Sequence, residues 1–309
     1  MEPISYADTL LLTLSNREMR VELAPSVGGS IARFYSETSR GRHHWLRPAT
    51  NAALLSGDAE GMASFPLVPF CNRIRNGRAH FQGREIRLPP NRGNSPHTIH
   101  GLGWQHPWNV LEHDERSAVF EFVHAGGDWP YPFSATQHYR LSADRLDVTM
   151  EVKNNGTDPM PLGLGHHPYL PNRRAARLTV AVAAMWGGDE EVMPTEIQQP
   201  PLLARLRDGV ALSEVIQDNN FVGWQHSARV EWPSFEGLGA GLVMQAESPL
   251  DYFVLYSPAE HDFFCIEAVS NCTDWLNLKN IPKEQVGGSI VAPGEKCKVH
   301  FSLTPFIGN

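Results

Sequence analysis

The sequence predicts an all-β protein, a large antiparallel β-sandwich, on three observations. Along Leu146-Asp147-Val148-Thr149-Met150-Glu151-Val152-Lys153 the apolar residues fall on one face and the polar ones on the other, which is the period-two signature of a half-buried strand. The 26 glycines and 24 prolines are scattered over the whole length, as many short strands joined by many turns require. No window offers a long amphipathic helix, so the pattern is that of an antiparallel sheet rather than a parallel one with crossover helices.

Strands are expected in chain order at Met19 to Leu23 and Ser30 to Tyr35. Ala79-His80-Phe81 and Arg84-Glu85-Ile86-Arg87-Leu88 flank Gln82-Gly83 as a tight hairpin. Ala118 to His124 follows, then Ala135 to Leu141, which a four-residue loop, Ser142-Ala143-Asp144-Arg145, joins to the alternating strand as a second hairpin. Further strands are expected at Leu178 to Ala183, Ala228 to Trp232, Leu242 to Gln245, Tyr252 to Tyr256, Phe263 to Ala268 and Cys297 to Leu303. A single domain over residues 1–309 fits this organisation, since large sandwiches and barrels run past about 200 residues as one unit.

A chain of this size can bury roughly three quarters of the surface its unfolded form exposes, so it folds without a metal or disulfide staple. Its four cysteines, Cys71, Cys265, Cys272 and Cys297, form no CxxC pair, which fits reduced thiols in a cytoplasmic protein. The net charge of −8 argues against a nucleic-acid partner. The start of the chain is acidic and its apolar run Leu10-Leu11-Leu12 is too short for a signal peptide; no stretch approaches the roughly 18 apolar residues of a membrane span.

Three segments carry polar residues that strands and turns do not require. The first runs from Phe65 to Arg78, with Asn72-Arg73-Ile74 at its centre, and continues in Ser95-Pro96-His97-Thr98-Ile99-His100-Gly101. Alone, Arg73 reads either as a surface cation or, in a cleft, as a rigid donor fork that joins a neutral imidazole such as His100 in holding vicinal hydroxyls. The second is Gly165-His166-His167-Pro168-Tyr169-Leu170. Pro168 pushes His167 toward extended backbone, so the two histidines point to opposite faces and one of them enters a given pocket. The third is Phe263-Phe264-Cys265-Ile266-Glu267-Ala268-Val269, where Glu267 shares a face with Phe263 and Cys265. If that face is covered, desolvation raises the carboxyl pKa toward the range of a general base at neutral pH; if it is open, Glu267 is an edge charge.

In this order along the chain, these segments resemble the aldose 1-epimerase, or galactose mutarotase-like, family. The resemblance rests on Asn72-Arg73-Ile74 with Gly77, Thr98-Ile99-His100-Gly101 with Gly103, His167-Pro168-Tyr169-Leu170, Gln217-Asp218-Asn219-Asn220-Phe221 and Cys265-Ile266-Glu267. It implies a β-supersandwich with no cofactor and no metal, and a cleft for a small-molecule sugar, in a monomer or homodimer. It makes His167 the general acid and Glu267 the general base, with Asn72, Arg73, His100 and Asp218 binding the substrate. His166 departs from the family's small or aromatic residue at that position, and Ser270-Asn271-Cys272-Thr273-Asp274-Trp275 matches no element of the family.

The expected activity is thus interconversion of α and β anomers of an aldose, with Trp104, Trp108 or Trp129 as the stacking platform. The alternatives are a non-catalytic carbohydrate-binding protein of the same fold, or a hexose-6-phosphate 1-epimerase using Arg75, Arg78 and Arg92. A metal centre from His97, His100, His166, His167 and Glu267 conflicts with the divergence of adjacent strand residues and with the lack of a helical register in His97-Thr98-Ile99-His100.

Overall fold

The computed structural model describes residues 11–39, 41–235 and 238–307; the start of the chain, through Leu10, lies outside them. Two large sheets carry the fold. The first has nine antiparallel strands in the order Asn109–His113, Ser117–His124, Phe133–Leu141, Leu146–Asn154, Lys296–Ile307, Leu238–Ala246, Ser227–Phe235, Arg177–Val180 and Val210–Ala211. The second has the order Pro194–Gln198, Ala184–Gly188, Gln217–Val222, Tyr252–Ser257, Phe263–Val269, Gly165–His166 and Pro66–Leu67, with Tyr169–Pro171 also paired to Phe263–Val269. A four-stranded sheet over Leu12–Ser15, Met19–Ala24, Ser30–Thr38 and Gly41–His44 completes the main architecture.

The alternating strand behaves as its sequence requires: Leu146, Val148, Met150 and Val152 are buried while Asp147, Thr149 and Glu151 are half-exposed. They meet Phe221, Phe253, Leu255, Phe264, Ile266 and Ala268 of the second sheet in one contiguous core. Each such large side chain taken from water contributes about 1.5–3 kcal/mol. The second sheet is covered on its other face as well, where Tyr169, Trp186, Tyr252, Val254, Cys265 and Val269 form a separate apolar cluster. Burial on both faces explains why Tyr252–Ser257 and Phe263–Val269 read as continuous apolar runs without alternation.

Both hairpins form as expected. Ser142 N–H donates to Arg145 O across the four-residue loop, and Gln82 and Gly83 both take positive φ, 48° and 83°, the backbone of a type I′ turn. The strand expected over Leu178 to Ala183 is instead Arg177–Val180. After it the chain leaves the nine-stranded sheet and enters the other one at Ala184–Gly188, so Ala181 to Ala183 make the crossing. The longest helix among the described residues is Leu202–Asp208, seven residues, and no helix there is long and apolar enough to cross a membrane.

Candidate active site

Strand register assembles most of the site on the covered face of the second sheet. Asp218 lies opposite Tyr256, and Tyr256 opposite Cys265, which in turn faces Tyr169. One row over, Asn220 faces Val254 and Val254 faces Glu267. Residues directly opposite share a face, as do residues two apart along a strand, so Asp218, Asn220, Tyr256 and Glu267 all rise on one side. Gly165–His166 and Tyr169–Pro171 both pair with Phe263–Val269, as Gly165↔Val269 and Tyr169↔Cys265. The same register carried between them sets His167 opposite Glu267, and His167 Nε2 lies 3.3 Å from Glu267 Oε1.

Two loops close this face. A short ribbon pairs Arg73 with Ile99 and Ile74 with Thr98, and the residues just outside it lock reciprocally: His100 N–H donates to Asn72 O at 2.9 Å, and Asn72 N–H donates to His100 Nδ1 at 3.2 Å. With Nδ1 accepting, the neutral His100 ring carries its proton on Nε2. Asn72 and His100 hold left-handed backbone, φ 59° and 62°, which asparagine and histidine tolerate better than most residues. Gly101, at φ 71°, has room for no Cβ, which would stand 2.1 Å from Val68 O. Asn72 Oδ1 then accepts from the Arg73 backbone at 2.8 Å and from its guanidinium at 3.1 Å, aiming Arg73 at Asp218, 3.4 Å away.

Asn72, Arg73, His100, His167, Asp218 and Glu267 therefore line one cleft, together with Ile99, Tyr169, Tyr256 and Arg92. His167 packs edge-on to His100, with ring centroids 5.0 Å apart at 88°, and nearly parallel to Tyr169 and Phe65 at 4.6 and 4.8 Å. Its Nδ1 is buried with no hydrogen-bond partner among the described residues. Burial lowers the His167 pKa to about 3, helped by the charges of Arg92 and Arg47. Burial pushes Glu267 the other way, well above the usual carboxylate range, and Asp218 adds to the rise. His100 is held well below the usual imidazole range, by burial first and then by His167 and Arg73.

His166 takes no part in the cleft. It faces the inter-sheet core, where Nδ1 meets Ser64 Oγ and Nε2 meets Gln137 Oε1 at 3.0 Å. His97 is turned away too: its Nδ1 accepts from Asn76 N–H at 3.0 Å and its Nε2 lies 3.6 Å from Glu191. The expected tryptophan platform is a correction. Trp104, Trp108 and Trp129 are all buried and none lines the cleft; Trp104 backs it by stacking on Phe65 at 5.6 Å. The aromatic rings at the cleft are Tyr169 and Tyr256.

Sequence reasoning left Arg92 and the Ser270–Trp275 segment without a place. Arg92 reaches the cleft from an exposed loop and pairs with Glu60 at 2.7 Å. The segment braces the Arg73 loop from behind: Asn271 bonds both the N–H and the O of Cys71, Asp274 N–H donates to Arg73 O, and Asp274 Oδ1 accepts from Arg75 N–H. A run of Ser, Asn, Thr and Asp, all able to bond backbone at short range, was the signal for such a brace.

The chain is 32% identical over 303 residues to the uncharacterized protein YphB of Escherichia coli K12, covering 95% of this chain and 98% of that one. It is 26% identical over 167 residues to the galactose mutarotase of Mus musculus, half of this chain and 48% of that protein. The crystal structure of a putative aldose 1-epimerase from Escherichia coli K12 superposes with a TM-score of 0.85 at 29% identity, over 96% of this chain and 99% of that one. Residues 10–304 match the model of the aldose 1-epimerase family, and the chain belongs to that family.

Proposed function

We propose that this protein is an aldose 1-epimerase that interconverts the α and β anomers of a neutral aldose, with His167 as general acid and Glu267 as general base. One observation carries the reading: His167 Nε2 and Glu267 Oε1 stand side by side at 3.3 Å in a cleft lined with hydroxyl-binding groups. The hemiacetal oxygens they would serve, O1 and O5, are bonded to the same carbon, so the acid and the base must be neighbours.

Ring opening begins from the tautomer of the pair in which the proton has moved across the 3.3 Å contact from Glu267 to His167 Nε2, leaving Glu267 as carboxylate and His167 as imidazolium. Glu267 takes the proton of the C1 hydroxyl, O1 becomes the aldehyde oxygen, the C1–O5 bond breaks, and His167 gives its Nε2 proton to O5. Rotation about C1–C2 presents the other face of the aldehyde, and closure reverses both transfers. The opened state holds a neutral acid and a neutral imidazole, which is the protonation that burial favours for this pair. Burial thus lowers the energy of the charge-neutral aldehyde complex relative to the ion pair. Arg73, Asp218 and the Nε2–H of His100 hold the remaining hydroxyls still.

A neutral sugar fits the charges better than a sugar phosphate. Both arginines lining the cleft already face carboxylates, Arg73 with Asp218 and Arg92 with Glu60. Arg75 is committed to Asp189, Glu191 and Asp274. A dianionic phosphate would have to displace one of these partners.

The test is to follow fresh α-anomers of neutral aldoses and of hexose 6-phosphates by NMR or polarimetry, with His167→Ala and Glu267→Gln alongside. The expected result is acceleration for neutral aldoses and a loss of about 10²- to 10⁴-fold in each variant with folding retained. Wild-type rates in either variant remove that residue's role. Sugar binding without acceleration by the parent protein would make it a binding protein instead.

A further inference from the structure

Asp218 borders two hollows, the cleft and a smaller one beside it. The carboxylate also lines a side lobe, whose walls include Gly187, Gly188, Val192, Asn220 and Thr273. Asn220 stands in the same row of the sheet as Glu267, two positions along its strand from Asp218. The residue is 3% exposed. One end of its amide donates to Thr273 Oγ1 at 2.9 Å, and the other, Oδ1, has no hydrogen-bond partner among the described residues. Turning the amide over exchanges oxygen for nitrogen and still leaves one end unpaired.

A buried amide that lacks a partner is costly unless something completes it. The neighbouring asparagine in the strand shows what completion looks like: Asn219 Nδ2 donates to Trp186 O at 2.8 Å and its Oδ1 accepts from Gln217. The lobe carries a second anomaly. Val192, a β-branched residue, sits at φ 61°, a conformation that such side chains rarely adopt and that clusters at ligand-binding sites. Gly187 and Gly188 line the same lobe without side chains of their own.

We propose that Asn220 is a specificity-determining residue whose free amide end hydrogen-bonds one hydroxyl of the bound sugar, in the side lobe beyond Asp218. This rests on the epimerase reading and extends it from the reacting carbon to the recognition of a distal hydroxyl. Pairing that hydroxyl satisfies a group that the protein leaves unpaired, so a sugar lacking it is rejected. A site built this way discriminates more sharply than an apolar pocket does.

The experiment measures kcat/KM for mutarotation of the best neutral aldose and of its monodeoxy derivatives, with the parent protein, Asn220→Ala, the near-isosteric Asn220→Leu and Thr273→Val. One deoxy sugar is expected to lose about tenfold or more with the parent protein. That penalty should vanish in Asn220→Ala and Asn220→Leu, because the partner is already gone. It should persist in Thr273→Val, which removes only the internal bond. An undiminished penalty in both Asn220 variants, or no penalty for any deoxy sugar with the parent protein, overturns the assignment. Loss of the penalty in Thr273→Val with its retention in Asn220→Ala would give the hydroxyl to Thr273 instead. No acceleration of the unmodified sugar by the parent protein would overturn the epimerase reading itself, and Asn220's role with it.

Discussion

His166 and His167 are adjacent in the chain and belong to different regions of the molecule. On the core side, His166 is satisfied at both nitrogens, with Ser64 at Nδ1 and Gln137 at Nε2, and Gln137 is fixed in turn by Tyr139 and Gly29 O. On the cleft side, His167 has Glu267 at Nε2 and, among the described residues, no partner at Nδ1. Burial lowers both pKa values to about 3, so a depressed value alone does not distinguish a packed histidine from a reactive one. The partner does: an amide oxygen and a hydroxyl hold one neutral tautomer, whereas a carboxyl with an opposite shift shares a proton that can move.

The largest effect that tests this contrast is kinetic. His167→Asn should lower kcat by about 10²- to 10⁴-fold with little change in melting temperature. His166→Asn should leave kcat per folded molecule near the parent value and cost about 1–3 kcal/mol of stability by breaking a fully paired buried group. Urea titrations and mutarotation rates on the two variants check both halves, and a matching kinetic loss in His166→Asn would erase the distinction.

The next effect is on stability against pH. His166 has its folded pKa near 3 against 6.5 for the free group. Below 6.5 the unfolded chain therefore binds a proton that the folded one does not, and its contribution is full above 6.5 and lost as pH falls toward 3, by about 1.4 kcal/mol per unit. The cleft pair behaves differently. Above the ordinary glutamate value of 4.5, the upward shift keeps a proton on Glu267 in the folded pair, while the unfolded chain holds one on His167, so the two opposite shifts offset each other in the proton count. His166→Asn should flatten the acid slope in that window. Glu267→Gln should steepen it, because it leaves the His167 shift uncompensated. Unfolding free energies from pH 4.5 to 6.5 decide the matter, and an unchanged slope in Glu267→Gln would mean that the folded protein does not hold Glu267 protonated above its ordinary range.

The divergence of the two histidines was legible in the sequence because the two-residue period and Pro168 act locally. The alternation of Leu146 to Lys153 and both hairpin turns were legible for the same reason. The placement of Tyr256, Arg92 and Asn220 was not. Tyr256 reaches the cleft through its pairing with Asp218 and Cys265, and Arg92 through an ion pair with Glu60; both depend on contacts between distant parts of the chain. The tryptophans misled because indole suits a sugar platform and a core equally well, and only the packed structure shows that Trp104, Trp108 and Trp129 are buried.

The smallest effect is the sharpest control on the comparison. Ser64→Ala removes the hydroxyl at His166 Nδ1 and leaves that nitrogen unpaired in the core, at a cost of about 1 kcal/mol. Ser64 is next to Phe65, whose carbonyl accepts from His167 N–H at 2.9 Å and whose ring stacks on His167. A shift of the Ser64 backbone would thus carry into the cleft, whereas loss of the hydroxyl alone would not. If the two faces are energetically separate, the variant lowers the urea midpoint slightly and keeps kcat and its pH dependence. A fall in kcat with stability nearly intact would show that the core histidine positions the cleft one through this strand, and the division between the two would then be one of contact but not of energy.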